Sequence, residues 1–162
     1  MGTNSKLQLQ FTHRHWRALG ANGSTYADTG YQSTWEVTRA QPGRAGILVD
    51  YTGGRAGRHA DAGSVRSAAR RFLSQIEPVI GGLGPLWNRK VTLNDWTDDP
   101  LTLGSYAYYR VGQMTRFGGV ERRPSGACHF AGEQTAYTYQ GYMEGAVRSG
   151  QRAAGEIIDA LR

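Results

Sequence analysis

Only one cysteine, Cys128, stands in this chain of 162 residues, so no internal disulfide can staple it and no cysteine-based metal motif can form. Lysine is nearly as scarce: apart from Lys6 and Lys90, every cation is an arginine. No apolar run approaches the ~20 residues that a membrane-crossing helix requires. The opening residues also lack the basic and apolar pattern of a targeting segment. These absences lead to the expectation of a soluble, cytoplasmic protein with no membrane partner. A βαβ unit opening on G-x-G-x-x-G, the turn that receives a dinucleotide pyrophosphate, is missing as well. Gly53-Gly54 reads as the end of a strand, and Gly81-Gly82-Leu83-Gly84 follows a helix instead of opening one. No internal repeat, low-complexity tail or linker breaks the sequence, whose length suits one domain's worth of core.

Positive charge is in excess, at +6 with a pI near 9.8, yet it is diffuse. Its densest groups, Arg70-Arg71 and Arg122-Arg123, are pairs rather than runs, which describes a solvated face better than a phosphate-binding stripe; no nucleic-acid partner is expected. His13 and His15 share one side of a strand, but without carboxylate or cysteine support they read as a surface pair, so no metal site is expected. Cys128, at the entry to a strand, reads as a small apolar packing group.

Alternation of apolar and polar residues predicts a half-buried strand at 6–11, KLQLQF, closed by His15-Trp16. Residues 20–34 are rich in Gly, Asn, Ser, Thr and Asp and read as a loop. Strands at 34–39 and 46–51, separated by the turn Gln41-Pro42-Gly43, complete a small antiparallel sheet. Apolar residues at Val65, Ala68, Ala69, Phe72, Leu73 and Ile76 predict a helix over 64–77, with Asp61 or Ser64 as N-cap and Pro78 as stop. A short strand follows at 90–96, and 104–110 favours extended structure. The last helix, 142–161, would bury a face of Met143, Val147, Gly150, Ala154, Ile157 and Leu161.

The span 129–147, HFAGEQTAYTYQGYMEGAV, carries the most information. Phe130 and Ala131 read as the end of a buried strand, Gly132 lets backbone or ligand approach closely, and Glu133 offers a carboxylate to hydroxyl groups. Gly141 then releases the chain into a helix opening at Tyr142 or Met143. Free N–H groups and the positive end of the helix dipole therefore sit beside the acid. A ligand with an electron-rich edge and a sugar-like tail suits that order.

This span resembles the C-terminal signature of the flavin-containing amine oxidases. The resemblance implies that Gly132 and Glu133 meet the ribityl chain of FAD and that Gly141, Tyr142 and Met143 point a helix N-terminus at the isoalloxazine ring. A second segment, WTDDPLTLGSY from Trp96 to Tyr106, is similar to the stretch that precedes the flavin-contacting aromatic of that family. It implies that Trp96 packs near the flavin and that Tyr106 and Tyr142 frame the substrate as an aromatic pair. Ser105 matches the position where mitochondrial monoamine oxidases carry a flavin-tethering cysteine; serine forms no thioether, which implies non-covalent FAD. A third segment, GTNSKLQLQFTHRHW, is similar to the one whose lysine holds a water against the flavin, a role that would fall to Lys6.

The fold class implied is α+β: antiparallel substrate-domain strands with a helix, then the C-terminal strand and helix of an FAD-binding domain. Residues 1–103 would belong to the substrate-binding domain and 104–162 to the flavin-facing part, with the N-terminal Rossmann unit absent. The expectation is a C-terminal portion or subunit of an FAD-dependent amine oxidase acting on a small amine, partnered by an N-terminal FAD-binding half. A non-catalytic remnant of the same fold that does not hold FAD alone is the alternative.

Overall fold

The computed structural model describes residues 1–58 and 63–162. The chain divides into two compact units, one formed by Thr3–Gly104 and the other by Ser105–Arg162 together with Met1–Gly2.

The unit Thr3–Gly104 is built on a five-stranded sheet in the order β2-β3-β4-β1-β5. Its strands are β1 (Asn4–Phe11), β2 (Thr25–Tyr26), β3 (Ser33–Glu36), β4 (Gly46–Gly53) and β5 (Trp87–Asp95), and every pairing is antiparallel. Alternation along β1 explains its central place. Leu7, Leu9 and Phe11 are buried on one face while Lys6, Gln8 and Gln10 point to the other and are half-buried. Against the apolar face packs the helix α3 (Val65–Ile76), which contributes Ala68, Ala69, Phe72, Leu73 and Ile76 to a core shared with Trp16, Tyr31, Leu48, Ile80, Leu83 and Trp87. Large side chains such as Phe72 and Ile76 each contribute about 1.5–3 kcal/mol by leaving water. Ser64 caps this helix by accepting the Ser67 N–H; the other candidate cap, Asp61, lies outside the described residues. Short helices α1 (His15–Ala18) and α2 (Gly54–Arg58) close strand ends.

Two differences from the sequence pattern stand out in this unit. Val65, expected in the core, is exposed at the first turn of α3. The strand expected at 90–96 begins earlier, at Trp87, because its pairing with β1 continues past an irregularity between Leu9 and Phe11 to set Phe11 opposite Trp87, and it ends before Trp96. A buried carboxylate also anchors the sheet to α1. Glu36 accepts from Arg14 Nε at 2.6 Å, Trp16 Nε1 at 2.9 Å, Arg17 Nη2 at 3.1 Å and Thr38 Oγ1 at 3.1 Å. Burial opposes its ionisation, but these four donors hold its carboxyl below the ordinary value.

The second unit consists of loops, a short helix α4 (Gln113–Phe117), a 3-10 turn at Glu133–Thr135 and the long helix α5 (Met143–Ala160). The face that α5 buries is not the one its large residues suggest. Gly145, Ser149 and Ala153 are buried, whereas Met143, Val147, Gly150, Ala154, Ile157 and Leu161 are exposed. The reason is a close approach to the backbone: a Cβ on Gly145 would lie 2.2 Å from the Tyr139 carbonyl oxygen, so only small residues at i, i+4 and i+8 allow this contact.

Two stretches expected to be extended or buried are neither strand nor core. Within 104–110, Ser105 and Tyr106 exchange backbone hydrogen bonds with Gly2 and the remaining residues form loop. Phe130 and Ala131 are exposed loop, with the Phe130 carbonyl accepting from Arg152 at 2.6 Å. A strand needs a neighbouring strand to satisfy its edge; among the described residues the first stretch has only the single residue Gly2 in place of one, and the second pairs with no strand. Cys128 is likewise exposed, in a tight turn bridged to Ser125.

Candidate functional site

Gly132 starts the site, at a φ of 137° that only glycine adopts without strain. Its N–H donates to Ser149 Oγ on α5 at 2.8 Å, and its carbonyl accepts the Thr135 N–H and hydroxyl, so the turn is locked onto the helix. That lock aims Glu133. Its Oε1 accepts the Ala107 N–H at 3.0 Å and the Gly141 N–H at 2.9 Å, while Oε2 has only a longer contact of 3.4 Å to Ala107. Ala107 follows Tyr106 and Gly141 precedes Tyr142, so one carboxylate oxygen gathers the two tyrosine-bearing segments. Oε2 keeps acceptor capacity for a further donor.

Gly141, at a φ of +87°, turns the chain so that Tyr142 serves as the N-cap residue of α5 without any side chain closing the helix. The N–H groups of Met143 and Glu144 have no acceptor among the described residues. They are the orphan donors of a helix N-terminus, where the macrodipole concentrates about half a positive charge. Tyr142 and Met143 are exposed there, and Tyr106 is partly so. Glu144, in the first turn, is held by Arg148 at 2.7 Å, and Arg148 in turn lies 4.7 Å over the Tyr139 ring. Such a mouth suits an electron-rich, planar ligand edge.

A second set of residues braces this mouth and was not legible in the sequence. Arg152 on α5 bonds the Phe130 carbonyl, Thr135 Oγ1 at 3.3 Å and Glu156 at 2.6 Å, and Glu156 also bonds His129 Nδ1 at 3.1 Å. The His129 ring and the Arg152 guanidinium together keep the Glu156 carboxyl below its ordinary value. Gln140 ties the loop down further, its amide donating to Gln134 O at 2.9 Å and Tyr109 Oη at 3.3 Å. Tyr109 donates to Glu121 at 2.5 Å, which pushes the phenol above its usual range.

Of the other expected site residues, Ser105 belongs to the same unit and donates its N–H to the Gly2 carbonyl at 2.9 Å. Lys6 and Trp96 belong to the unit Thr3–Gly104. Lys6 projects from β1 on the face opposite α3. Trp96, just past β5, is partly exposed; its carbonyl accepts the Gly104 N–H at 2.8 Å and the Thr102 hydroxyl at 2.7 Å. The His13 and His15 rings meet edge to face at 6.0 Å, and among the described residues no group of three His, Cys, Asp or Glu side chains could hold a metal.

Comparison with known proteins gives consistent matches over this same stretch. The family model described as flavin containing amine oxidoreductase matches residues 1–158. A flavin-containing amine oxidase of Danio rerio is 31% identical over 99% of this chain, which covers 31% of that protein. A flavin-containing amine oxidase A of Bos taurus is 47% identical over 57% of the chain and 18% of that protein. Among solved structures, cyclohexylamine oxidase from Brevibacterium oxydans IH-35A superposes with a TM-score of 0.87 at 27% identity, over 99% of this chain and 36% of that one. The chain thus spans about a third of the length of these full-length matches.

Proposed function

The chain belongs to the flavin containing amine oxidoreductase family, and from that premise we propose that it is the C-terminal portion of an FAD-dependent amine oxidase, completed by an N-terminal half that carries the dinucleotide-binding unit. FAD, when bound, would supply the hydride acceptor for oxidation of a C–N bond, with oxygen as the final acceptor.

This chain's own residues would bind and orient. The Met143 and Glu144 N–H groups, without acceptors among the described residues, would meet the electron-rich edge of the ring system and stabilise negative charge developing there. Gly132 and Gly141 shape the turns, and Glu133 Oε2 would accept from a ribityl hydroxyl. Tyr106 and Tyr142 would frame a neutral amine between their rings, Trp96 would pack beside the cofactor, and the Lys6 ammonium would hold a water used in imine hydrolysis. Ser105 cannot form a thioether, so the flavin would be held without a covalent bond.

One observation carries this reading: Glu133 Oε1 accepts from both Ala107 and Gly141, which draws the Tyr106 and Tyr142 segments to one carboxylate. The exposed Met143, Val147, Ile157, Ile158 and Leu161 of α5 support a further body covering this helix. The test is co-expression with an N-terminal half bearing a G-x-G-x-x-G βαβ unit. Co-purification with a flavin absorbance spectrum and amine-dependent peroxide is expected, with the flavin passing into the supernatant on acid precipitation. A stable pair that retains no flavin would overturn the reading and leave a binding module instead.

A further inference from the structure

On the sheet face opposite α3, the β1–β4 register sets Lys6 directly across from Tyr51. Lys6 Nζ lies 5.7 Å from the centroid of the Tyr51 ring, within the range at which an ammonium is attracted by a π face. The Trp35 ring stands 5.5 Å from that of Tyr51, tilted by 56°. Because β3–β4 pairing puts Ser33 opposite Tyr51 and Trp35 opposite Val49, Trp35 reaches Tyr51 along the sheet diagonal and backs its ring. On the other flank, Asn94 pairs with Lys6 in register but commits its side-chain oxygen to Gln8 Nε2 at 3.3 Å. Among the described residues Lys6 forms no ion pair and no side-chain hydrogen bond.

We infer that Tyr51 is the positioning residue for Lys6, its ring fixing the ammonium on this face of the sheet with Trp35 as backing. A carboxylate partner would occupy the ammonium's hydrogens. A π face attracts the charge while leaving all three N–H donors available, which is what a lysine that holds a water requires. The ring also limits the rotamers of a long, flexible side chain. This inference rests on the proposed role of Lys6, and it is testable apart from that role.

The chain has two lysines, Lys6 and Lys90, so proton–carbon NMR of their ε-methylene groups resolves one signal from each. The Lys6 signal is expected upfield of that of Lys90 through the ring current. Tyr51→Leu should return it to the Lys90 position, Tyr51→Phe should preserve the shift, and Trp35→Leu, which leaves β4 and Tyr51 intact, should reduce it. Lys90 reports on integrity of the sheet in each variant. Coincident Lys6 and Lys90 signals in the unaltered chain, or a Lys6 signal unmoved by Tyr51→Leu in a folded variant, would overturn the inference. In the enzyme completed by its N-terminal half, Tyr51→Leu should lower kcat about 3- to 10-fold at unchanged KM, with Tyr51→Phe near the unaltered rate. Equal loss in Tyr51→Phe would assign the effect to the hydroxyl and sink the ring role. A completed protein that binds no flavin would instead remove the oxidase reading and leave the NMR result standing.

Discussion

Replacing Asp50 by asparagine should flatten the pH dependence of stability of the Thr3–Gly104 unit between mildly acid and mildly alkaline solution. Asp50 sits in β4 with 7% of its surface exposed, and among the described residues its Oδ1 has no hydrogen-bond partner. It lines a cavity of ≈ 300 Å³ beneath α3 together with Ser5, Thr52, Arg71, Phe72 and Gln75. Burial pushes its carboxyl from 3.8 up to about 7, only partly offset by the Gln32 backbone N–H and the Arg71 guanidinium. The folded state therefore keeps a proton that the unfolded state has already released. Stability from this group is greatest at low pH, falls as pH rises from about 4, and levels off above about 7. Each pH unit within that window costs about 1.4 kcal/mol, so the step from about pH 5 to about pH 8.5 should remove roughly 2–3 kcal/mol. Glu36 does not confuse the measurement: its value is depressed, so its contribution is fully present above the ordinary 4.5 and is lost only toward acid. All four tryptophans, Trp16, Trp35, Trp87 and Trp96, lie in this unit, so urea unfolding followed by tryptophan fluorescence reads it selectively. Asp50→Asn should be at least as stable as the unaltered chain at about pH 8.5 and show no slope across the window. A variant with the same slope as the unaltered chain, or an unaltered chain without slope, would refute the reasoning. Carbon-13 titration of the Asp50 carboxyl provides the direct check, with a midpoint near 7.

Glu36→Ala leaves the Arg14 guanidinium and the Trp16 N–H buried without their acceptor and should destabilise the same unit by about 3–5 kcal/mol in urea; a loss below about 1 kcal/mol would show the network to be incidental. Gly145→Ala drives a methyl group into the Tyr139 carbonyl and should cost about 1–3 kcal/mol, seen as earlier thermal loss of helical circular dichroism, whereas Gly150→Ala, with open space at its Cβ, should be neutral or stabilising. Glu133→Ala removes the acceptor shared by Ala107 and Gly141 and should weaken flavin retention by the completed protein about 10- to 100-fold. Glu133→Gln retains a carbonyl acceptor and should lose far less; equal losses would mean that charge, not loop gathering, is what Glu133 contributes.

Local pattern made the sheet and α3 readable in advance. Period-two burial in KLQLQF places β1, and apolar residues at helical spacing with Ser64 as cap place α3, because both signals depend on neighbours a few residues away. The candidate site stands out in the sequence in a different way. The turn glycine, the acid and the uncapped helix start lie within a dozen residues, so Gly132, Glu133, Gly141 and Met143 could be picked out as a group. Their bracing could not. Arg152 and Glu156 stand four residues apart on α5, but their reach to the Phe130 carbonyl and to His129 spans 22 and 27 residues, and nothing in that spacing announces it.

The last helix marks the boundary between the two kinds of information most sharply. Its length and start follow from residues 141–160 alone, since a glycine release, an absence of proline and regular apolar spacing are enough to specify them. Its buried face does not follow. Hydrophobicity points to Met143, Val147, Ile157 and Leu161, yet the contact within its unit runs through Gly145, Ser149 and Ala153. Which side of a helix meets its neighbour depends on how near that neighbour's backbone comes, and the Tyr139 carbonyl comes near enough to admit only hydrogen at position 145. The loop before α5 is held against that face by bonds over longer separations, from the Gly132 N–H to Ser149 Oγ and from Arg152 to the Phe130 carbonyl, and composition and periodicity carry no record of these.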